Sequence, residues 1–130
     1  MFNEPLLQPM LVHVAWVAGL YVALTIVRAP PVWGVGQRKD GTNPLGLYEP
    51  RISANLRNQF EWPVLFYVVC LLLLRQGEIG RAHLWLAWIF VTGRMLHTGV
   101  QVFTANVRLR GIVFTINFVA VLAMWGLLLV

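Results

Sequence analysis

A chain of 130 residues, 58% hydrophobic and 12% charged with a mean hydropathy of +0.69, is one domain. It is well outside the range of soluble domains, which run about 45–50% apolar and about 25% charged; a ball of its own size cannot hide that much apolar surface, so lipid must cover the rest. The net charge of +5 calls for no nucleic acid, because the basic residues gather at segment ends, and the single Cys70 excludes an intrachain disulfide framework.

The N-terminus has neither a basic region nor a small-residue cleavage site, so no removable signal peptide is expected. Leu6 to Val27 carries no charge and is long enough to cross a bilayer core of about 20 helical residues. Arg28 and Ala29-Pro30-Pro31 stop it, since proline disfavours helix in the residue before it. Gly, Pro, Asn, Arg and Lys make residues 29–50 a polar loop.

The next apolar stretch, Trp62 to Leu74, has 13 residues and cannot cross alone. Reaching about 20 residues requires extension back to Asn55, which carries Arg57, Asn58, Gln59 and Glu61 toward the hydrocarbon. Pro63 removes a backbone donor and is expected to bend this helix. The third span, Ala82 to Phe103, holds Arg94, His97 and Gln101 at i, i+3 and i+7, on one face. The fourth, Gly111 to Val130, is free of charge. The expected architecture is an all-α, integral-membrane four-helix bundle: one domain, residues 1–130, with helices at about 6–28, 55–75, 82–103 and 111–130.

Loop charge sets the orientation. One side carries Arg28, Arg38, Lys39, Arg51, Arg57, Arg108 and Arg110; the other carries Arg75 and Arg81. The positive-inside bias puts the first side in the cytoplasm and both termini away from it.

Depth then brings polar residues together. Arg94 lies nine residues and His97 six residues inside the third helix from Phe103, roughly 13 Å and 9 Å at 1.5 Å per residue. Glu61 lies at a matching depth, about 9 Å from Asn55. A Glu61–Arg94 pair is expected, because an unpaired charge at that depth is costly. With Arg57, Arg108 and Arg110 nearby, the mouth has a surplus of cations suited to an anionic ligand. His13 reads as a packed or interhelical hydrogen-bonding residue, and no grouping has metal-ligand spacing.

Arg57-Asn58-Gln59-Phe60-Glu61 with Pro63 resembles the second helix of the MAPEG family, the membrane-associated proteins in eicosanoid and glutathione metabolism. Gly93-Arg94-Met95-Leu96-His97-Thr98 looks like the third-helix motif of the family's prostaglandin E synthase branch, with Arg110 at that branch's catalytic arginine. Asn58 to Tyr67 is most similar to short bacterial members, which implies a multi-pass protein of the bacterial inner membrane. The resemblance implies a homotrimer with glutathione as co-substrate between subunits near the cytoplasmic face. Arg57, Asn58, Glu61 and His97 would hold the tripeptide, Arg94 would support Glu61, and Arg110 would stabilise the thiolate. A lipophilic electrophile would arrive through the lipid. Where that branch has serine after the catalytic arginine, two tyrosines and a further arginine, this chain has Gly111, Gln101, Phe114 and Ala54.

Two functions follow from these features. One is a membrane-bound glutathione transferase or peroxidase acting on lipophilic electrophiles. The alternative is a non-catalytic member of the fold, an accessory subunit or a binder of another amphiphile. A small four-helix exporter would need an acidic residue in the first span, which offers only His13.

Overall fold

The opening apolar run becomes α1, Leu7–Arg28, in a computed structural model that describes residues 3–130. A π-helical turn, Ala29–Trp33, extends it through the two prolines. The remaining helices are α2 (Tyr48–Asn58), α3 (Trp62–Gln76), α4 (Arg81–Phe103) and α5 (Val107–Leu128), and no strand occurs among the described residues. Leu7–Trp33 and Val107–Leu128 are each long and apolar enough to cross a membrane.

The expected second helix, 55–75, is two helices. It begins earlier, at Tyr48, and is interrupted over Gln59–Glu61. The break precedes Pro63 for a physical reason. A proline lacks the N–H that would bond the carbonyl four residues back, and its ring clashes with that carbonyl, here that of Gln59. Pro63 therefore sits in the first turn of α3, where the missing donor costs nothing. Gly77 closes α3 at φ +77°, its N–H bonded to the Leu73 carbonyl at 3.0 Å.

The fourth helix also starts early. Asn106 accepts a hydrogen bond from the Leu109 amide at 3.0 Å, an N-cap that begins α5 at Val107 rather than at residue 111. Arg108 and Arg110 therefore stand on the first turns of a helix and not in a loop. At the same end, α2 meets α4 through Tyr48 against Phe103, with ring centroids 6.2 Å apart. Arg28 at the end of α1 pairs with Glu49 of α2 at 2.9 Å; both side chains are partly exposed, so the pair contributes little. In the connecting loop the Thr42 hydroxyl (2.7 Å) and amide (3.1 Å) donate to Asp40, which holds its carboxyl below its ordinary pKa.

Two apolar clusters fill the bundle. One joins Leu6 and Met10 to Phe66, Cys70, Phe90, Val121 and Met124, with Phe66 stacked on Phe90 at 4.2 Å. The other, toward the opposite end, joins Leu20, Leu24 and Val27 to Ile52, Leu56 and Val102. Apolar burial alone gives little drive between helices in lipid, so close packing and interhelical hydrogen bonds must hold them. Most of the side-chain hydrogen bonds between helices lie in the belt between the clusters, where His13, Asn55, Gln59, Arg94, His97, Thr98 and Gln101 are all buried.

Candidate functional site

Gln59, the last residue of α2 in helical geometry before the α2–α3 break, is the hub of this belt. Its Oε1 accepts from Arg94 Nε at 3.1 Å and bonds His13 Nε2 at 2.9 Å, while its Nε2 donates to Asn55 Oδ1 at 3.0 Å. Arginine can only donate, which assigns the amide orientation of Gln59. His13 Nε2 must then be a donor, so His13 Nδ1 accepts from the Tyr67 hydroxyl at 2.6 Å. Asn55 donates in turn to Gln101 Oε1 at 2.9 Å and meets His97 Nδ1 at 3.3 Å. Thr98 donates to Asn55 Oδ1 at 2.8 Å or to the Arg94 carbonyl, and receives Trp16 Nε1 at 3.1 Å. One network thus ties α1, α2, α3 and α4.

The expected Glu61–Arg94 pair is not formed. Among the described residues the one ion pair within 4.0 Å is Arg28–Glu49. Arg94 is fully buried and bonded to Gln59, and its two terminal nitrogens find no hydrogen-bond partner among the described residues. Glu61 is exposed. The difference is one of face: at about 3.6 residues per turn Glu61, two residues past Gln59, lies on the opposite side from the face that Gln59 and Asn55 share, with or without the break.

Beside the network lies an open recess of about 560 Å³ between α2, α4 and α5, within the usual range of small-molecule sites. Its lining brings Arg57, Asn58 and Glu61 together with His97 and Gln101 of α4 and Arg110, Gly111 and Phe114 of α5. Five of the six residues expected at the site are therefore neighbours, and Arg94 alone is not among them. His97 is held by Asn55 on one side and lies 6.1 Å, centroid to centroid, from Phe114. Arg110 stands in the second turn of α5, whose N-terminal end carries partial positive charge. An anionic group in the recess would meet that dipole and the Arg57 and Arg110 guanidiniums together. No group of His, Cys, Asp and Glu among the described residues could hold a metal ion.

Sequence reasoning passed over Gln59 and Asn55 as organisers and gave Tyr67, Trp16 and Thr98 no role at the site. A signal for the first two exists. Asn55 and Gln59 stand four apart on the same face of a segment that must enter the membrane, opposite the polar face of α4.

Fold and site together define a helical membrane protein with a cationic recess at one mouth of the bundle. A family model matches residues 6–130, and the chain belongs to the MAPEG family. That family is membrane-associated and includes glutathione transferases and peroxidases as well as non-catalytic members. No curated protein and no solved structure matches the chain.

Proposed function

We propose that this protein binds glutathione in the recess and presents its thiolate to lipophilic electrophiles, as a homotrimer of the inner membrane with both termini outside the cytoplasm. The observation that carries this reading is the convergence of Arg57, Asn58, Glu61, His97 and Arg110 on one recess from α2, α4, α5 and the α2–α3 break. Arg57 bonds a carboxylate of the tripeptide, Glu61 its ammonium group, and Asn58 and His97 its amides. Arg110 lowers the thiol pKa and holds the thiolate. The thiolate then attacks an electrophilic carbon, a C–S bond forms, and the leaving group departs with its electron pair. The recess is open on one flank of the single chain, where a neighbouring subunit closes it. Native mass spectrometry in mild detergent gives a trimer on this reading; a monomer contradicts the assembly.

Gly111, Phe114 and Gln101 line the same recess, and none offers a hydroxyl beside the thiol. That observation favours the second reading, a non-catalytic member that binds an amphiphile or a partner. Calorimetric titration separates them. On the first reading the wild type binds glutathione and shows an ultraviolet thiolate band. Arg110→Ala abolishes the band, and Arg57→Gln weakens binding by about 1.5–3 kcal/mol, the worth of a hydrogen bond to a charged group. No binding at millimolar glutathione selects the second reading.

A further inference from the structure

We infer that the segment joining α1 to α2 is an interfacial hook that binds anionic phospholipid. Val32, Trp33 and Val35 enter the headgroup layer, and Arg38 and Lys39 bind lipid phosphates. This contact lies outside the recess and needs no glutathione. The length of the first helical run places it. Leu7–Trp33 has 27 residues, about 40 Å at 1.5 Å per residue. A hydrocarbon core is about 30 Å thick, and about 40–45 Å with its headgroup layers. The run therefore outreaches the hydrocarbon, and its end, from Arg28 onward, stands among headgroups.

The chain then stays at that level. Gly34 turns it at φ +70°, a conformation that favours glycine, and its N–H donates to the Pro30 carbonyl at 3.0 Å. Gln37 Nε2 donates to the same carbonyl at 2.9 Å, and Asn43 Nδ2 to the Val27 carbonyl at 3.3 Å. These bonds satisfy helix-end carbonyls and fold the segment back over the end of α1. A closed turn carries the cations. The Gly41 amide donates to the Arg38 carbonyl at 2.9 Å, and the Arg38 amide to the Thr42 carbonyl at 3.1 Å. Asp40 is held by Thr42 within this turn, and neither Arg38 nor Lys39 has an ion-pair partner among the described residues.

The hook also bears an uncovered apolar surface. Val32, Trp33 and Val35 are 62%, 73% and 66% exposed, whereas Leu45 and Tyr48 further along pack on the second apolar cluster. Water would suit the two cations but not the three apolar side chains. Neutral lipid would suit the apolar side chains but leave the cations without a counter-charge. Anionic phospholipid suits both, because an indole is at ease at headgroup level and basic side chains there are drawn to negative headgroups.

The test uses the full chain in mild detergent, titrated with phosphatidylglycerol or phosphatidylcholine, with retained lipid read by native mass spectrometry. The wild type prefers phosphatidylglycerol. Joint replacement Arg38→Gln and Lys39→Gln weakens that preference by about fivefold for each cation removed, while Arg38→Lys with Lys39→Arg keeps it. In nanodiscs, the Trp33 emission is the difference between the wild type and Trp33→Phe. Lipids brominated on acyl carbons next to the headgroup quench it more than lipids brominated at the chain ends. Equal retention of the two lipids by the wild type overturns the inference, as does an unchanged preference in the double glutamine variant. A Trp33 emission that no brominated lipid quenches also overturns it, and means that water or protein covers this face. Should the double variant fail to fold in a thermal-unfolding control, Arg38→Gln and Lys39→Gln decide singly, each by its own loss.

Discussion

Gln59→Leu is expected to lower stability by about 3–5 kcal/mol, the range found when one partner of a buried charged group is removed. Arg94 is wholly buried, and Gln59 Oε1 is its side-chain partner, so the substitution strands a guanidinium in low dielectric. It also leaves His13 Nε2 without its acceptor and Asn55 Oδ1 without one of its donors. Glu61→Gln is the matched control. Glu61 is exposed and forms no ion pair with Arg94, so its neutralisation changes stability by about 0.5 kcal/mol or less, as for other surface substitutions. Thermal unfolding of both variants in mild detergent reads the comparison. A large loss with Glu61→Gln and a small one with Gln59→Leu would mean that Glu61 carries the Arg94 charge after all.

The second large effect concerns the contact of α4 with α5. A Cβ on Gly93 would overlap the side-chain carbonyl oxygen of Asn117, which is itself fully buried. Gly93→Ala is therefore expected to cost about 1–3 kcal/mol, the usual penalty for overfilling a packed interface. Gly99, on the same helix, has nothing within 4 Å of an added Cβ. Gly99→Ala is expected to be neutral or to stabilise by up to about 1 kcal/mol through helix propensity. Combining Gly93→Ala with Asn117→Ala removes the obstructing group, so the pair should recover part of the loss in a thermal-stability cycle. Equal effects of the two glycine substitutions would show that α4 and α5 do not meet at Gly93 as closely as described.

Several features were legible before any fold was known. The apolar runs at the two ends of the chain marked α1 and α5, because a bilayer demands about 20 apolar residues per crossing whatever the packing. Arg94, His97 and Gln101 were readable as one face because helix periodicity is local, and all three are buried in the structure. The recess residues Arg57, Asn58, Glu61, His97 and Arg110 could be named from short motifs, and the structure brings those five side by side.

What depends on three dimensions was not legible. Pro63 announced a bend, but whether the chain curves through it or breaks before it depends on what Gln59, still helical in its backbone at the end of α2, gains there. That gain is contact with Arg94 and His13, from α4 and from α1, which are distant in sequence. Depth counting placed Glu61 level with Arg94 and so paired them, since one dimension cannot distinguish the residue that faces inward from the one that faces the recess. The sequence by itself determined that this chain is helical and membrane-associated, that its first and last apolar runs are long enough to cross a membrane, and which side chains gather at one recess, because those follow from local hydropathy, periodicity and charge. Only the tertiary structure decided that Gln59 rather than Glu61 meets the buried arginine, because hydrogen-bond partnership depends on the direction each side chain takes where the helices meet.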